Sequence, residues 1–186
     1  MKQQTLLERL QQHGVSRRGF LKYCAAITSL MALPPSMTAA VAAALEKSRR
    51  PSVIWLSFQE CTGCVESLTR SHSPTIEGLI FDHISLDYQH TLQAAAGEAA
   101  ETARETAMHE NQGQYLVVVD GSIPLGNPGY STIAGVSNRQ ILEETIEGAA
   151  AVIAVGSCAA FGGLPMANPN PPGAVSVADL VKDKPV

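Results

Sequence analysis

The sequence predicts an α/β protein built on a doubly wound parallel sheet. Two observations carry that expectation. The apolar run at 52–58 is nearly continuous rather than alternating, the pattern of a strand covered on both faces, and further strands are read at 84–88, 115–119 and 151–155. Segments with helical spacing lie between them, and strands that alternate with helices pair in parallel. At 186 residues and 45% hydrophobic, the chain can bury a core without disulfide staples.

Residues 1–44 are set apart from that fold. Ser16-Arg17-Arg18-Gly19-Phe20-Leu21-Lys22 has the form of a twin-arginine export signal. The apolar segment Tyr23 to Leu33 and the small-residue run Ala39 to Ala44 follow it, as in a cleaved leader. A membrane span needs roughly 20 apolar residues, and Pro34-Pro35 interrupts this stretch at about half that length. Cleavage is expected after Ala44, leaving residues 45–186 as the folded domain. Cys24 lies in the leader and drops out of the chemistry. Cargo of this route crosses the membrane already folded, commonly around an inserted cofactor.

The domain reads as follows. Ser52–Phe58 is the first strand. Cys64–Ser71 is a short helix with Val65 and Leu68 inward, and Pro74–Leu79 adds a turn. Ile84–Tyr88 alternates and forms the second strand. Leu92–Asn111 is expected to be a helix with Leu92, Ala95, Ala96, Ala99, Ala103 and Ala107 on its inner face, closed by Gly113. Tyr115–Val119 is the third strand, followed by a tight loop at Asp120–Gly129. A capping box of Ser137 and Gln140 starts a helix through Glu147, with Ile141, Leu142 and Ile146 inward. Ala151–Val155 is the fourth strand, and Lys182–Val186 begins another. The connections are flavodoxin-like, and such sheets gather function in the loops at the carboxyl ends of their strands.

Three cysteines fall in those loops. Glu60-Cys61-Thr62-Gly63-Cys64 follows the first strand and Gly156-Ser157-Cys158 follows the fourth. A helix N-terminus is expected to lower thiol pKa and to favour bound negative charge. The Cys61/Cys64 pair alone fits a redox disulfide or half of a metal site. Cys158 alone fits a small core side chain. All three together on one edge suit an iron–sulfur cluster; the long gap from Cys64 to Cys158 does not suit a zinc ribbon. The net charge of −4 divides into +4 on the leader and −8 on the remainder, and an acidic body without a basic stripe excludes nucleic acid as partner.

Several ordered motifs then converge on one family. Arg50-Pro51-Ser52-Val53-Ile54-Trp55-Leu56, Glu60-Cys61-Thr62-Gly63-Cys64-Val65-Glu66-Ser67 and Ile84-Ser85-Leu86-Asp87-Tyr88 resemble the N-terminal domain of the small subunit of nickel–iron hydrogenases. So do Ala94-Ala95-Ala96-Gly97-Glu98, the Gly156–Gly163 loop and Asn168-Pro169-Asn170-Pro171, and the twin-arginine leader fits as well. The resemblance runs from about Pro51 to Val186. It implies the electron-transfer subunit of a periplasmic hydrogenase, possessing no catalytic residue of its own. The nickel–iron centre sits in a separate large subunit, and the acceptor is a membrane or periplasmic carrier such as a cytochrome b.

By position, Cys61, Cys64 and Cys158 match three of the four ligands of the family's proximal [4Fe-4S] cluster. The fourth comes from a Gly-Cys-Pro-Pro-Asn-Pro motif expected after Val186, as do ligands of a [3Fe-4S] and a second [4Fe-4S] cluster. A fragment or early-ended product is therefore expected, poor at holding a stable cluster. Oxygen-tolerant relatives carry extra cysteines at the positions of Gly63 and Gly163, so the resemblance implies the oxygen-sensitive type.

On the residues alone two other readings stay open. One is an exported thioredoxin-like thiol–disulfide oxidoreductase with Cys61 as nucleophile; the other is a domain that only scaffolds a partner. Glu60 reads as a charge complement to the helix or as a group at the large-subunit interface. His72, His83, His90 and His109 show no ligand spacing, and Ser157 reads as a turn residue or a hydrogen-bond donor to the cluster.

Overall fold

The computed structural model describes residues 6–12, 14–47 and 50–186. Lys2, one of the basic residues counted in the stretch 1–44, and the Arg9 side chain lie outside them. The chain divides into two compact units, Met1–Arg50 and Pro51–Val186. The first holds helices α1 (Leu6–Gln12), α2 (Arg17–Leu30) and α3 (Thr38–Lys47). Ser16 caps α2 by accepting from the Gly19 N–H at 3.1 Å, which puts Arg17 and Arg18 in the first turn. Cys24 is fully buried there against Leu7, Phe20 and Ala42. No helix among the described residues is long and apolar enough to cross a membrane.

The second unit is the expected parallel sheet. Strands β1 (Ser52–Ser57), β2 (Ser85–Gln89), β3 (Leu116–Asp120) and β4 (Ala151–Val155) lie in the order β2-β1-β3-β4, every pair parallel. That is the flavodoxin order. All six residues of β1 are buried, as a continuous apolar run requires. On one face Val53, Trp55 and Val118 pack against Val65 and Leu68 of α4 (Gly63–Thr69). On the other, Ile54, Leu56, Val117 and Val119 meet Ala100 and Ala107 of α5 (Glu98–Glu110) and Ile141 and Leu142 of α6 (Asn138–Ile146). Each fully buried aliphatic side chain contributes about 1.5–3 kcal/mol.

Several expectations are corrected. The helix predicted from Leu92 starts at Glu98. The Gln89 side-chain oxygen accepts from the N–H groups of Thr91 and Leu92, holding that stretch as a turn, and Gly97 then takes φ 58°, ψ −138°, open to glycine alone. Ala95, Ala96 and Ala99 are exposed, and the inner face is Ala100, Arg104 and Ala107. Arg104 can be buried because Glu101 and Thr145 pair with its guanidinium at 3.0 Å each.

Only the Ser137 half of the capping box forms, since the Gln140 side chain reaches Glu144 at 2.9 Å instead. A complete box stands at Ser176 and Asp179, opening α9 (Val177–Leu180). Before it lie two short helices, α7 (Gly156–Phe161) and α8 (Gly163–Met166). Lys182–Val186 is not a strand; beside β4 it offers only the Pro185 carbonyl, to the Val152 N–H at 3.0 Å. The Asp120–Gly129 segment is no simple tight loop either. Asp120 ends β3, and Ile123–Pro124 pairs antiparallel with Ala174–Val175.

Candidate functional site

The site forms where β1, β3 and β4 end together. Ser57 stands opposite Asp120, and Asp120 opposite Val155. Beyond the sheet, Phe58 N–H donates to the Asp120 carbonyl at 2.8 Å, and Gln59 and Ser122 exchange backbone bonds of 3.2 and 2.9 Å. The segment that leads to the first thiols is thereby fastened to the loop after β3. Thr62 then turns the chain into α4 at φ 65°. A β-branched residue in the left-handed region is strained. Its hydroxyl donates to Glu60 Oε1 at 3.3 Å rather than capping the helix.

Cys61 is exposed, Cys64 and Cys158 are half-buried, and all three are free thiols. The Cys64 thiol donates to the Val155 carbonyl at 3.7 Å, so its sulfur lies against the last residue of β4. Cys158 follows three residues later, in α7. The two cysteine loops therefore meet.

Each sulfur also faces a glycine. A Cβ on Gly63 would stand 3.2 Å from the Cys61 sulfur, one on Gly163 2.6 Å from that of Cys158, and one on Gly156 would fall on that of Cys64. The absent side chains let the sulfurs lie close against the backbone of the two loops. Three thiols with no disulfide among them are the donor set that an iron–sulfur cluster uses. Among the described residues no three His, Cys, Asp or Glu side chains close on a single metal ion. A multi-iron cluster makes no such demand, because its thiolates bind different irons.

The electrostatics correct one expectation. Burial, then the charges of Asp120, Cys61, Cys158 and Glu60, push the Cys64 thiol pKa up rather than down. The short α4 helix does not outweigh burial and the acidic groups together. Glu60 is likewise raised, by burial and then by Asp120.

Sequence reasoning missed a set of buried polar groups around the thiols. Asp120 is fully buried, and Trp55 Nε1 donates to its Oδ1 at 2.8 Å. Its Oδ2 has no hydrogen-bond partner, nor do Gln59 Oε1, Glu60 Oε2, His90 Nδ1, Gln93 Nε2 and Ser122 Oγ. These atoms belong to the last residue of β3 and to the loops after β1, β2 and β3. The legible signal was a charged residue closing an apolar strand, Val117-Val118-Val119-Asp120. Burial lowers the pKa of His90 against the opposing pull of Asp120 and Glu101. His72, His83 and His109 lie outside this group, and Ser157 is exposed.

A flavodoxin-ordered α/β domain with three free thiols in the loops at its carboxyl edge defines a class: a protein whose sheet presents thiols along one edge. The particular family follows from comparison. Residues 61–186 match the family described as NADH ubiquinone oxidoreductase, 20 Kd subunit, and the chain belongs to it.

Its curated relatives are hydrogenase small subunits. The chain is 44% identical over 178 residues to the hydrogenase-2 small chain of Escherichia coli (strain K12), covering 95% of this chain and 48% of that protein. It is 47% identical over 176 residues to the periplasmic NiFe hydrogenase small subunit 1 of Nitratidesulfovibrio vulgaris, covering 94% and 55%. The chain thus spans about half the length of these relatives.

Among solved structures, the oxidised NiFeSe hydrogenase from Desulfovibrio vulgaris Hildenborough aligns with TM-score 0.68 and 36% identity, over 71% of this chain and 49% of that one. The reduced, active Ni-Fe-Se hydrogenase from Desulfomicrobium baculatum aligns with TM-score 0.68 and 32% identity, over 70% and 50%. The resemblance to nickel–iron hydrogenase small subunits is borne out, and the thioredoxin-like alternative gains no support.

Proposed function

We propose that this chain is the electron-transfer portion of the small subunit of a periplasmic nickel–iron hydrogenase, exported by the twin-arginine route on residues 1–44. Cys61, Cys64 and Cys158 hold the proximal [4Fe-4S] cluster. The observation that carries this reading is the meeting of three free thiols from two loops, each beside a glycine. Such a cluster, when bound, passes electrons singly from hydrogen oxidation in the large subunit towards an acceptor such as a cytochrome b. The chain's own residues fix the sulfurs, shape the space between them and set the charge around them. None of them breaks the H–H bond.

The large subunit docks over this edge. Unpartnered buried atoms of Gln59, Glu60, Asp120 and Ser122 lie at the ends of β1 and β3, on the edge that carries the thiols, and Phe161, Leu164 and Met166 are exposed on α7 and α8 directly beyond Cys158. An apolar rim with unmet hydrogen-bonding groups beside it is the composition of a covered interface.

The test replaces Cys61, Cys64 and Cys158 singly by Ser in the complete subunit, expressed with its large subunit, beside Cys24→Ser. Iron content and the EPR signal after reduction are read. Loss of iron is expected from each of the first three replacements and none from Cys24→Ser. Wild-type iron in any of the three rules out that residue as a ligand.

A further inference from the structure

We infer that Asp120 is a positioning charge for the sulfur site: its buried carboxylate makes a cluster on Cys61, Cys64 and Cys158 harder to reduce. The inference rests on the cluster reading above and adds to it a residue outside the ligand loops. Asp120 stands opposite Val155, the residue whose carbonyl touches the Cys64 sulfur at 3.7 Å. It shares the face of β3 that carries Val118, and Val118 packs with Trp55 and with Val65, the neighbour of Cys64. The Trp55 indole holds Oδ1 at 2.8 Å and so aims the carboxylate along that face.

Asp120 is fully buried, its Oδ2 has no hydrogen-bond partner, and no cation pairs with it among the described residues. A buried carboxylate with a single donor is poorly placed if its task is stability. Its position offers instead a fixed negative group across the β3–β4 pairing from Val155, the residue against which the Cys64 sulfur rests.

A cluster gaining one electron becomes more negative, and a fixed anion nearby opposes that gain. The ligands set where the cluster sits. Asp120 sets how readily it fills. No bond forms or breaks at Asp120; its contribution is electrostatic.

The experiment uses the complete small subunit assembled with its large subunit. Asp120→Asn keeps the size and the acceptor for Trp55 but removes the charge. The cluster is titrated with dithionite through redox mediators, the electron coming from dithionite, and the reduced fraction is followed by EPR. Iron content is measured on the same samples. At a fixed potential the ratio of reduced to oxidised cluster is expected to rise about tenfold in D120N, which for one electron is ~59 mV. Iron content is expected to stay at the wild-type level. An unchanged ratio in an iron-replete D120N overturns the inference and leaves Asp120 as an anchor for Trp55. Wild-type protein without iron overturns the cluster reading itself, and this inference with it. Should D120N fail to assemble, Asp120→Glu decides: with the charge retained the ratio is expected within about twofold of wild type, and a tenfold change overturns the inference.

Discussion

Arg104 Nη1 donates to Thr145 Oγ1 at 3.0 Å, joining α5 to α6 across the face of the sheet. The same guanidinium pairs with Glu101 at 3.0 Å, Glu101 accepts from the Tyr88 hydroxyl at 2.8 Å, and the Tyr115 hydroxyl donates to the Thr145 carbonyl at 2.7 Å. The arginine side chain is only 7% exposed, so its partners are strongly committed. Removing it strands them. Arg104→Ala is expected to cost about 3 kcal/mol, the lower end for breaking a buried pair because Glu101 is partly open to water. Urea unfolding checks this, and a loss under about 1 kcal/mol would show the network to be incidental.

The glycines beside the sulfurs differ in tolerance. Gly163 has φ 55° and its added Cβ would press on the Cys158 sulfur and backbone, whereas a Cβ on Gly63 meets only the Cys61 sulfur, at 3.2 Å. Alanine in the left-handed region costs about 1–2 kcal/mol before any clash. Gly163→Ala is therefore expected to lower both melting temperature and iron content, and Gly63→Ala to leave both near wild type. The same contrast applies to cysteine at these positions. Gly63→Cys should fold, whereas Gly163→Cys requires the turn carrying Cys158 to move.

The Ser176–Asp179 capping box gives a pH signature. Hydrogen bonds from Ser176 depress the Asp179 pKa. A depressed carboxyl contributes stability above its unfolded value of about 3.9, and that contribution disappears as pH falls through the lower folded value. Ser176→Ala is expected to cost about 1 kcal/mol near pH 7, and progressively less as acid protonates Asp179. Urea midpoints of wild type and variant, measured near pH 7 and again near pH 3, should converge. A constant difference would exclude the link to Asp179.

Phe161 and Leu164 are 80% and 81% exposed, immediately after the Cys158 turn. Glutamate at both positions is expected to leave the subunit's own stability within about 0.5 kcal/mol per site. Binding to the large subunit should weaken by 2 kcal/mol or more, roughly thirtyfold. Co-purification and iron content of the subunit, measured side by side, separate the two effects. Undiminished assembly would move the docking face elsewhere.

The sheet was legible because burial on both faces writes itself into consecutive residues. Val53-Ile54-Trp55-Leu56 is the clear case, whereas Ala151–Val155 reads as a strand from the same kind of apolar run although Ile153 is exposed. The cysteine loops were legible because the topology carries every parallel strand to the same edge. What stayed hidden depends on long-range pairing. Arg104 looks like a surface residue until Thr145, 41 positions on, supplies its acceptor. The start of α5 was misread because an alanine run has helical propensity, whereas Gln89 and Gly97 decide where the helix begins. Asp120 could be noticed as an acid closing a strand, but its bond to Trp55, 65 positions away, could not. The raised Cys64 pKa follows first from burial and then from the same gathering of distant acids.

Gly121 lies so close to the chain after β1 that a Cβ would come within 2.8 Å of the Gln59 nitrogen and oxygen and of the Phe58 carbonyl carbon. Two backbone bonds between Gln59 and Ser122 close the same contact. The consequence concerns inheritance. Segments some sixty positions apart share one surface, so neither can accumulate changes independently of the other. Substitutions at Gln59 and Gly121 should combine non-additively, each altering the background against which the other is judged. A lineage altering the loop after β3 would thus also shift the ground on which Cys61 stands.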